Sequence, residues 1–340
     1  MNANYRVAAF GEVMMRLEVP GHALLVQANS LALSFSGTGV NVTAALTNYG
    51  HEGYLVTTLP NNPLGDAAAS ALKKLGLSLK LSNRAGQYIG SYFLENGFGV
   101  RPSRVTYTNR QESSFNTAST DHYDFAAIAE QIDVISFCGI TLAMNDLVRS
   151  QMFLLAEEMR KRGKLIVFDC NYRPSLWGKD GYEQAKGHYE KMLQLADIVM
   201  MNEKDALLLL GFTTEQVDRK EQLLDVIPQV AKRYQIPIIA GTQRTIYGDN
   251  KHELAAYMYK EAQFSFYSTE PFAVYDRIGA GDAFTSGIIH GELTKMSQQE
   301  TIAFAAAAGM LAHTTAGDTP LASIAEVEQA LVLTVSDVQR

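Results

Sequence analysis

Short apolar runs and helical stretches alternate along the chain from residue 125 onward. The apolar runs, which have the length and composition of buried strands, lie at residues 134–138, 165–169, 198–201 and 236–241. The helical stretches between them lie at about 146–162, 180–195 and 219–234. Because neighbouring parallel strands must be joined by a crossover, usually a helix, this alternation predicts an α/β domain with a mostly parallel sheet between two layers of helices.

The N-terminal third departs from this alternation at two places. Residues 12–35 contain loosely alternating strand patterns, and residues 86–113 contain two stretches rich in Tyr, Phe, Val and Thr, joined by a Gly-containing connection at 96–99. Such a connection between strand patterns predicts a hairpin. We therefore expect one domain, residues 1–340, in which the two segments form a small β-sheet lid. Further predicted elements are a strand at 5–10, a helix at 41–49, a strand at 55–59, a helix at 63–75, a hairpin near 247–250, and helices at 280–294, 298–315 and 323–333.

Charge and composition argue against several classes of protein. The 340 residues include 29 Lys and Arg against 36 Asp and Glu, a net charge of −7. A nucleic-acid binder needs a basic surface, and the sequence has no run of Lys and Arg. No stretch approaches the roughly 18 apolar residues that span a membrane. Cys138 and Cys170 both lie in apolar runs, so we expect buried, reduced thiols in a cytoplasmic protein.

Several common catalytic and binding motifs are absent from the sequence. The phosphate-binding pattern GxxxxGK[ST] does not occur, and no GxGxxG follows the first predicted strand. GxSxG, HExxH and CxxC are also missing, and the seven His residues are scattered. These absences argue against P-loop, dinucleotide-dependent, serine-hydrolase and zinc enzymes.

The most informative segment is the turn Gly279-Ala280-Gly281-Asp282, between an extended stretch and a predicted helix. Small residues at a helix start leave backbone N–H groups open, and the helix dipole adds positive potential, so the turn is suited to bind an anion. A carboxylate beside a bound phosphate can take a proton from a hydroxyl that attacks the phosphate. Taken alone, however, Gly-Asp at a helix start more often indicates a simple N-cap.

The wider segment resembles the C-terminal signature of the ribokinase-like, PfkB-type carbohydrate kinases. The pattern Asp-x-x-Gly-Ala-Gly-Asp-Ala-Phe begins at Asp276 and matches position by position. This resemblance implies a three-layer α/β/α fold with a mostly parallel central sheet and a β lid. It also implies that Gly279, Ala280 and Gly281 form the anion hole for the transferred phosphoryl group, and that Asp282 is the catalytic base.

Other segments resemble motifs of the same family along the whole chain. The resemblance implies that Gly37 and Asn41, in a Gly-rich turn and the helix after it, contact sugar hydroxyls. It implies a magnesium-holding carboxylate at Asp205 or Glu203, between which the sequence does not decide. Taken alone, the Gly37 segment also fits a plain strand–turn–helix connection, and the segment from Asn202 to Asp205 also fits an ordinary helix N-terminus. The nucleotide-binding residues that the resemblance implies are Asn171, Asn202, Thr242, Gly279 and Gly281.

Two arginines lie where they could bind a carboxylate on the substrate, to which Arg binds with a planar, two-point geometry. Arg173 follows the predicted strand 165–169, at the edge where α/β sheets bind ligands. Arg110 ends a predicted lid strand and fits a solvated edge-strand charge equally well. Arg173 also fits a surface loop charge, although its Asn, Tyr and Trp neighbours favour a site.

These arginines belong to segments that resemble one subgroup of the family. Residues 171–177 are similar to the Asn-Tyr-Arg-x-x-Leu-Trp element of 2-keto-3-deoxygluconate kinases. The resemblance implies that Tyr92, Tyr107 and Arg110 contact the sugar acid from the lid. Asp318 matches an Asp near the C-terminus of that subgroup, and the resemblance implies that it binds substrate.

The sequence thus predicts an ATP-dependent kinase that phosphorylates the primary hydroxyl of a sugar acid, with 2-keto-3-deoxygluconate as the first candidate. ATP and Mg²⁺ are the expected cofactors, a monovalent cation is left open, and neither nucleic acid nor membrane is an expected partner. Open alternatives are a kinase of a neutral sugar or nucleoside, a non-catalytic sensor on the same fold, and a galactonate-type acid as substrate. Aromatic lid strands with a free apolar face favour a homo-oligomer formed through the lid.

Overall fold

The computed structural model describes residues 4–332. The strands are β1 (Arg6–Phe10), β2 (Met14–Glu18), β3 (Ala32–Ser36), β4 (Glu52–Val56), β5 (Thr58–Leu59), β6 (Asn83–Arg84), β7 (Gly90–Glu95), β8 (Arg104–Thr108), β9 (Val134–Cys138), β10 (Leu165–Asp169), β11 (Ile198–Met200), β12 (Ile238–Ile246), β13 (Lys251–Lys260), β14 (Gln263–Ser268) and β15 (Phe272–Ala273). The helices are α1 (Thr38–Asn48), α2 (Pro63–Lys74), α3 (Ser114–Thr117), α4 (Phe125–Gln131), α5 (Gly139–Leu142), α6 (Asp146–Lys161), α7 (Pro174–Trp177), α8 (Gly181–Leu195), α9 (Arg219–Tyr234), α10 (Ala280–Thr294), α11 (Gln298–Ala312) and α12 (Ile324–Leu331). A π-helical turn follows β11 at Asp205–Leu209.

The central sheet has the strand order β14-β13-β12-β11-β10-β9-β1-β4. All pairs from β4 to β12 are parallel, whereas β13 and β14 extend the sheet in antiparallel sense. Successive residues of a strand point to opposite faces. Phe168 of β10 therefore lies in one core cluster with residues of α4, α6, α8 and α9, while its neighbour Val167 lies in a second cluster with residues of α1, α10, α11 and α12. The predicted α/β class, a mostly parallel sheet with helices on both faces, is confirmed.

A separate four-stranded sheet has the order β3-β2-β7-β8. Its strands come from the two segments in which lid strands were expected. The strand β2 pairs antiparallel with β3 and parallel with β7, and β7 pairs antiparallel with β8. The register places Arg16 of β2 opposite Tyr92 of β7, and both side chains are buried. The inner face of this sheet therefore carries polar side chains toward the main domain.

Most predicted elements agree with the structure, and the differences have local causes. The strand predicted at 236–241 continues to Ile246 because β12 pairs with β13 along its whole length. The helix predicted at 298–315 ends at Ala312, where the next residue, His313, has its ring Nδ1 2.7 Å from the carbonyl oxygen of Gly309. Helix α4 and strand β14 were not predicted from the sequence. Residue 333, the last of the final predicted helix, lies outside the described residues. No helix between residues 4 and 332 is both long and apolar enough to cross a membrane.

Candidate active site

A cavity of about 520 Å³ lies between the separate sheet and the carboxyl ends of the central strands. It brings together residues that are far apart in the sequence, from both sheets and from the Gly279 turn. Of the predicted site residues, those that line it are Gly37, Asn41, Tyr92, Tyr107, Arg110, Asn171, Arg173, Gly279, Gly281, Asp282 and Asp318. Of the other predicted residues, those outside its lining are Ala280, Asn202, Glu203, Asp205 and Thr242.

The turn at Gly279 begins helix α10 and needs glycine for two different reasons. Gly279 has φ +84°, and a Cβ there would lie 1.7 Å from the carbonyl oxygen of Asp318. Gly281 is in the opposite situation, because a Cβ there would meet no heavy atom of the described residues within 4 Å. Gly279 therefore allows the chain to pack closely, whereas Gly281 leaves open space in front of the first amides of α10. Such a helix start can bind an anion.

Asp282 lies in the first turn of α10, and its side chain is buried on the cavity wall. The pKa of this carboxyl is raised to about 7, chiefly by burial and also by the charge of Asp169, while Asn41 and Arg173 oppose the rise. The side-chain amide of Asn41 donates a hydrogen bond of 2.7 Å to Asp282 Oδ2. Thr319 in turn donates to Asn41 Oδ1 at 3.1 Å, which fixes the orientation of that amide. Asp282 is thus a carboxyl group that can exchange a proton near neutral pH.

The N-terminal Gly-rich turn brings Asn41 to this position. Gly37 precedes α1, and a Cβ at this position would lie 2.3 Å from the carbonyl oxygen of Glu12. The close approach joins the start of α1 to the segment between β1 and the separate sheet. Helix α1 packs against α10, so that Asn41 and Asp282 face each other.

Asp318 forms a buried polar cluster with residues of the separate sheet. Its Oδ2 accepts hydrogen bonds from Ser36 at 2.7 Å and from the hydroxyl of Tyr92, and its Oδ1 forms an ion pair with Arg16. Arg16 is fully buried and also contacts Asp276 at 3.3 Å. Buried charges require such partners. Asp318 and Asp276 therefore connect the separate sheet to the Gly279 turn through Arg16.

Arg110 lines the cavity but is not a free cation. Its Nε donates a 3.0 Å hydrogen bond to Glu12, and its guanidinium lies 4.7 Å from the ring centre of Tyr107. Glu12 also accepts a 2.7 Å hydrogen bond from Ser113. Burial raises the pKa of Glu12, and the charge of Arg110 opposes that shift. Glu12 therefore orients Arg110 and neutralises part of its charge.

Arg173, by contrast, has no carboxylate in ion-pair contact within the described part of the chain. It is exposed, lies on the cavity wall and follows Asn171, whose φ is +34°. Its positive charge nevertheless acts over a longer range, because it opposes the raised pKa values of Asp169 and Asp282. An unpaired Arg at the end of a parallel strand is a suitable partner for an anionic ligand.

The two candidate magnesium carboxylates differ in their surroundings. Glu203 is buried, forms an ion pair with Arg219 at 2.6 Å and accepts a 3.1 Å hydrogen bond from Gln243. Asp205 accepts a 2.8 Å hydrogen bond from the backbone N–H of Asn202, and burial raises its pKa to about 7. Because Glu203 already has a cationic partner, Asp205 is the better candidate. No cluster of three or more His, Cys, Asp or Glu side chains among residues 4–332 is arranged to hold a metal ion.

Several polar residues of this region were not predicted from the sequence. Glu12 and Arg16 were not recognised, although a charged residue within the apolar run of β2 could have indicated a buried ion pair. Arg244 of β12 and Arg277 beside the Gly279 turn were also not assigned, and both line the cavity. Their roles depend on residues brought close only by the fold, which a linear motif does not reveal.

Taken together, a β sheet over a cavity, an amide-rich turn and a buried carboxyl group define a site suited to phosphoryl transfer to a hydroxyl group. The sequence model of the pfkB family carbohydrate kinases matches residues 4–324, so the chain belongs to this family. The predicted family and the predicted class of enzyme, a carbohydrate kinase, are confirmed.

Individual relatives are similar along almost the whole chain. A 2-dehydro-3-deoxygalactonokinase from Haloferax volcanii is 26% identical over 330 residues, which are 96% of each chain. A solved structure from Enterococcus faecalis, named as a candidate 2-keto-3-deoxygluconate kinase, is 37% identical with a TM-score of 0.95 and covers 99% of both chains. The 2-dehydro-3-deoxygluconokinase of Thermotoga maritima is 32% identical with a TM-score of 0.92 and covers 97% of this chain and 99% of its own.

Proposed function

We propose that this carbohydrate kinase transfers a phosphoryl group from ATP to the primary hydroxyl of 2-keto-3-deoxygluconate. The observation that carries the proposal is that one cavity holds Asp282, the open turn at Gly281, and the arginines Arg110 and Arg173. The first two suit phosphoryl transfer, and the arginines suit a carboxylate on the acceptor. The names of the relatives from Enterococcus faecalis and Thermotoga maritima support the same acceptor.

In this proposal Asp282 is the general base. As the acceptor hydroxyl attacks the γ-phosphorus atom of ATP, its O–H bond breaks and the proton passes to the carboxylate of Asp282. A new O–P bond to the acceptor forms while the bond between the γ-phosphorus and the bridging oxygen breaks, and that oxygen leaves as part of ADP. Asn41 holds that carboxylate by its 2.7 Å hydrogen bond. The first amides of α10, with Gly279, Ala280 and Gly281, stabilise the negative charge of the phosphoryl group in transfer.

The acceptor would lie between the separate sheet and the Gly37 turn. Arg173 and Arg110 would bind its carboxylate, and Gly37, Asn41 and Tyr107 would contact its hydroxyl groups. Asp318 and Tyr92 line the cavity, but their polar atoms already bond to each other. Their proposed contribution is therefore mainly to shape the sugar pocket and to hold the separate sheet, acting as a lid, against the Gly279 turn.

The nucleotide would lie beyond the carboxyl ends of β10 and β11, where Asn171 and Asn202 are found, and beside Thr242 in the middle of β12. Carboxylate oxygen is the kind of ligand that Mg²⁺ prefers. Because Glu203 is already paired with Arg219, Asp205 fits a water-mediated contact to the ion better. Bound Mg²⁺ would neutralise charge on the ATP phosphates. A monovalent-cation requirement stays a prediction, which assays with and without K⁺ would test.

A galactonate-type acid is the second candidate acceptor, because the Haloferax volcanii relative is named for it.

Two further parts of the prediction, the oligomeric state and the location in the cell, remain proposals. The side chains of Leu33, Phe98 and Val105 are exposed on the strands and hairpin of the separate sheet, which favours a homo-oligomer formed there and testable by light scattering. The free, buried thiols of Cys138 and Cys170 fit the predicted cytoplasmic location.

Phosphorylation kinetics with ATP and Mg²⁺ test the acceptor directly. The panel should contain both epimeric 2-keto-3-deoxy acids, fructose, ribose and a nucleoside. We expect the highest kcat/KM for 2-keto-3-deoxygluconate, and a KM for it about tenfold to hundredfold higher in Arg173→Gln, because one charged hydrogen-bond donor is lost. Arg233→Gln is the matched control, since Arg233 is an exposed residue of α9 paired with Glu190. A preference for neutral acceptors together with a harmless Arg173→Gln change would contradict the proposal, and an absence of all kinase activity would favour a sensor.

A further inference from the structure

Two arginines on the cavity wall have no anionic partner. Arg244 lies on β12, and Arg277 lies just before the Gly279 turn. Over the described range 4–332, no carboxylate forms an ion pair with either of them. Because both line the cavity, they face its space rather than the core. Two unpaired cations at one edge of a cavity indicate an anionic ligand.

The two arginines line the same cavity, where their like charges act on each other. Burial lowers the pKa of Arg244, and the charge of Arg277 lowers it further. Both arginines also lower the pKa of His252 on the neighbouring strand β13, where burial is the main cause. The fold therefore holds two positive charges together at a cost that an anion between them would relieve.

The backbone around Arg277 is fixed. The carboxylate of Asp276 accepts hydrogen bonds from the N–H groups of Arg277 and Ile278 at 2.7 and 3.1 Å. The other oxygen of Asp276 faces Arg16 at 3.3 Å. Asp276 is thus occupied by Arg16 and by backbone groups, and the guanidinium of its neighbour Arg277 stays available for a ligand.

We propose that Arg244 and Arg277 bind the polyphosphate of the nucleotide and hold it against the open turn at Gly281. This inference rests on the proposed function. A monocarboxylic sugar acid carries one negative charge, for which Arg110 and Arg173 suffice. A polyphosphate carries several, and the turn offers it only uncharged amides. Bound Mg²⁺ would neutralise part of this charge. The two guanidinium groups supply further positive charge, with donors that match phosphate oxygens in pairs.

Their position also agrees with the direction of transfer. Arg244 lies two residues beyond Thr242 on β12, on the side where the nucleotide would lie, and Arg277 lies two residues before Gly279. A polyphosphate that contacts both arginines would therefore extend from β12 to the start of α10, where Asp282 and the acceptor would meet its terminal phosphoryl group.

Two glutamine variants test this proposal by separating the two substrates. In Arg244→Gln and Arg277→Gln we expect the KM for ATP to rise about tenfold to hundredfold, because charged hydrogen bonds are lost, and the KM for the sugar acid to stay unchanged. Arg277→Lys should give an intermediate KM for ATP, since Lys keeps the charge but loses the planar fork. Arg233→Gln is again the control and should leave both constants unchanged.

Calorimetry with inorganic tripolyphosphate gives a readout that does not depend on the acceptor. The wild-type protein should bind tripolyphosphate, and each glutamine variant should bind it at least about tenfold more weakly. If the wild-type protein phosphorylates no sugar acid but this loss of binding is found, the acceptor proposal fails and the present inference stands. If the variants raise the KM for the sugar acid instead, or change neither KM nor tripolyphosphate binding, the inference is overturned.

Discussion

Replacing Asp282 by Asn is expected to stop turnover and, above neutral pH, to stabilise the folded protein. The catalytic loss follows from the proposed base, since general-base catalysis contributes roughly 10²- to 10⁴-fold to a rate. The gain in stability follows from burial, which raises the pKa of Asp282 from 3.8 to about 7. The folded protein therefore holds this group in an ionised form that its surroundings disfavour whenever the pH is above about 7.

The sign and size of the stability effect follow from proton linkage. Between pH values of about 4 and 7, Asp282 binds its proton more tightly in the folded than in the unfolded state, so its contribution to the free energy of unfolding falls as the pH rises. A shift of about three units corresponds to about 4 kcal/mol at pH 8. Asn cannot ionise, and its side-chain oxygen can still accept the hydrogen bond from Asn41. At about 2 °C per kcal/mol for a chain of this size, Tm at pH 8 should rise by roughly 5 °C or more.

Thermal unfolding of both proteins at pH 5 and pH 8 measures this effect. Asp282→Asn should match the wild type at pH 5, where the native carboxyl is protonated, and exceed it at pH 8. Asp133→Asn is the matched control, because a hydrogen bond from Arg6 holds the pKa of Asp133 at about 2; that variant should lose stability at both pH values. A lower Tm for Asp282→Asn at pH 8, or a difference that does not depend on pH, would refute the reasoning.

Further variants examine the neighbours of the proposed base. Gly281→Ala should keep the Tm of the wild type but lose kcat, since its methyl group enters open space at the anion site, whereas Gly279→Ala should lower Tm because its Cβ would lie 1.7 Å from a backbone oxygen. In Asn41→Ala the pH below which kcat/KM falls should be about one unit higher, because the ionised form of Asp282 loses a hydrogen bond. The pH profile is measured with the preferred acceptor. Glu12→Ala should raise the KM for the sugar acid about tenfold without changing that for ATP, because the lid arginine loses its 3.0 Å anchor.

Local patterns were sufficient to predict most of the framework. The predicted bounds of β9, β10, α9 and α10 equal those in the structure, because each element has a continuous apolar run or face that ends at a polar or glycine-containing turn. The signature around Gly279 also lies within one short segment. Its residues are close in the fold because they are close in the sequence, so a linear pattern was enough to find it.

The partners of the predicted residues could not be found in this way. Arg110 resembled a free ligand for a carboxylate, but Glu12, which lies 98 residues away, binds it. Asp318 resembled a direct substrate ligand, but Arg16, almost a full chain length away, forms an ion pair with it. In both cases the predicted residue is near the site, and the missing information is which buried charge the fold places opposite it.

Several charged groups of the site are poorly stabilised by the protein alone. Arg173, Arg244 and Arg277 lie on the cavity wall without ion-paired carboxylates within residues 4–332, while burial keeps the pKa values of Asp205 and Asp282 near 7. A fold selected for stability alone would pair or remove such groups. Anionic ligands would pair the arginines, and uptake of the acceptor's proton would neutralise Asp282. The electrostatic cost of the site is therefore offset when its substrates bind. The placement of these charges is explained by the protein and its ligands together, not by the protein alone.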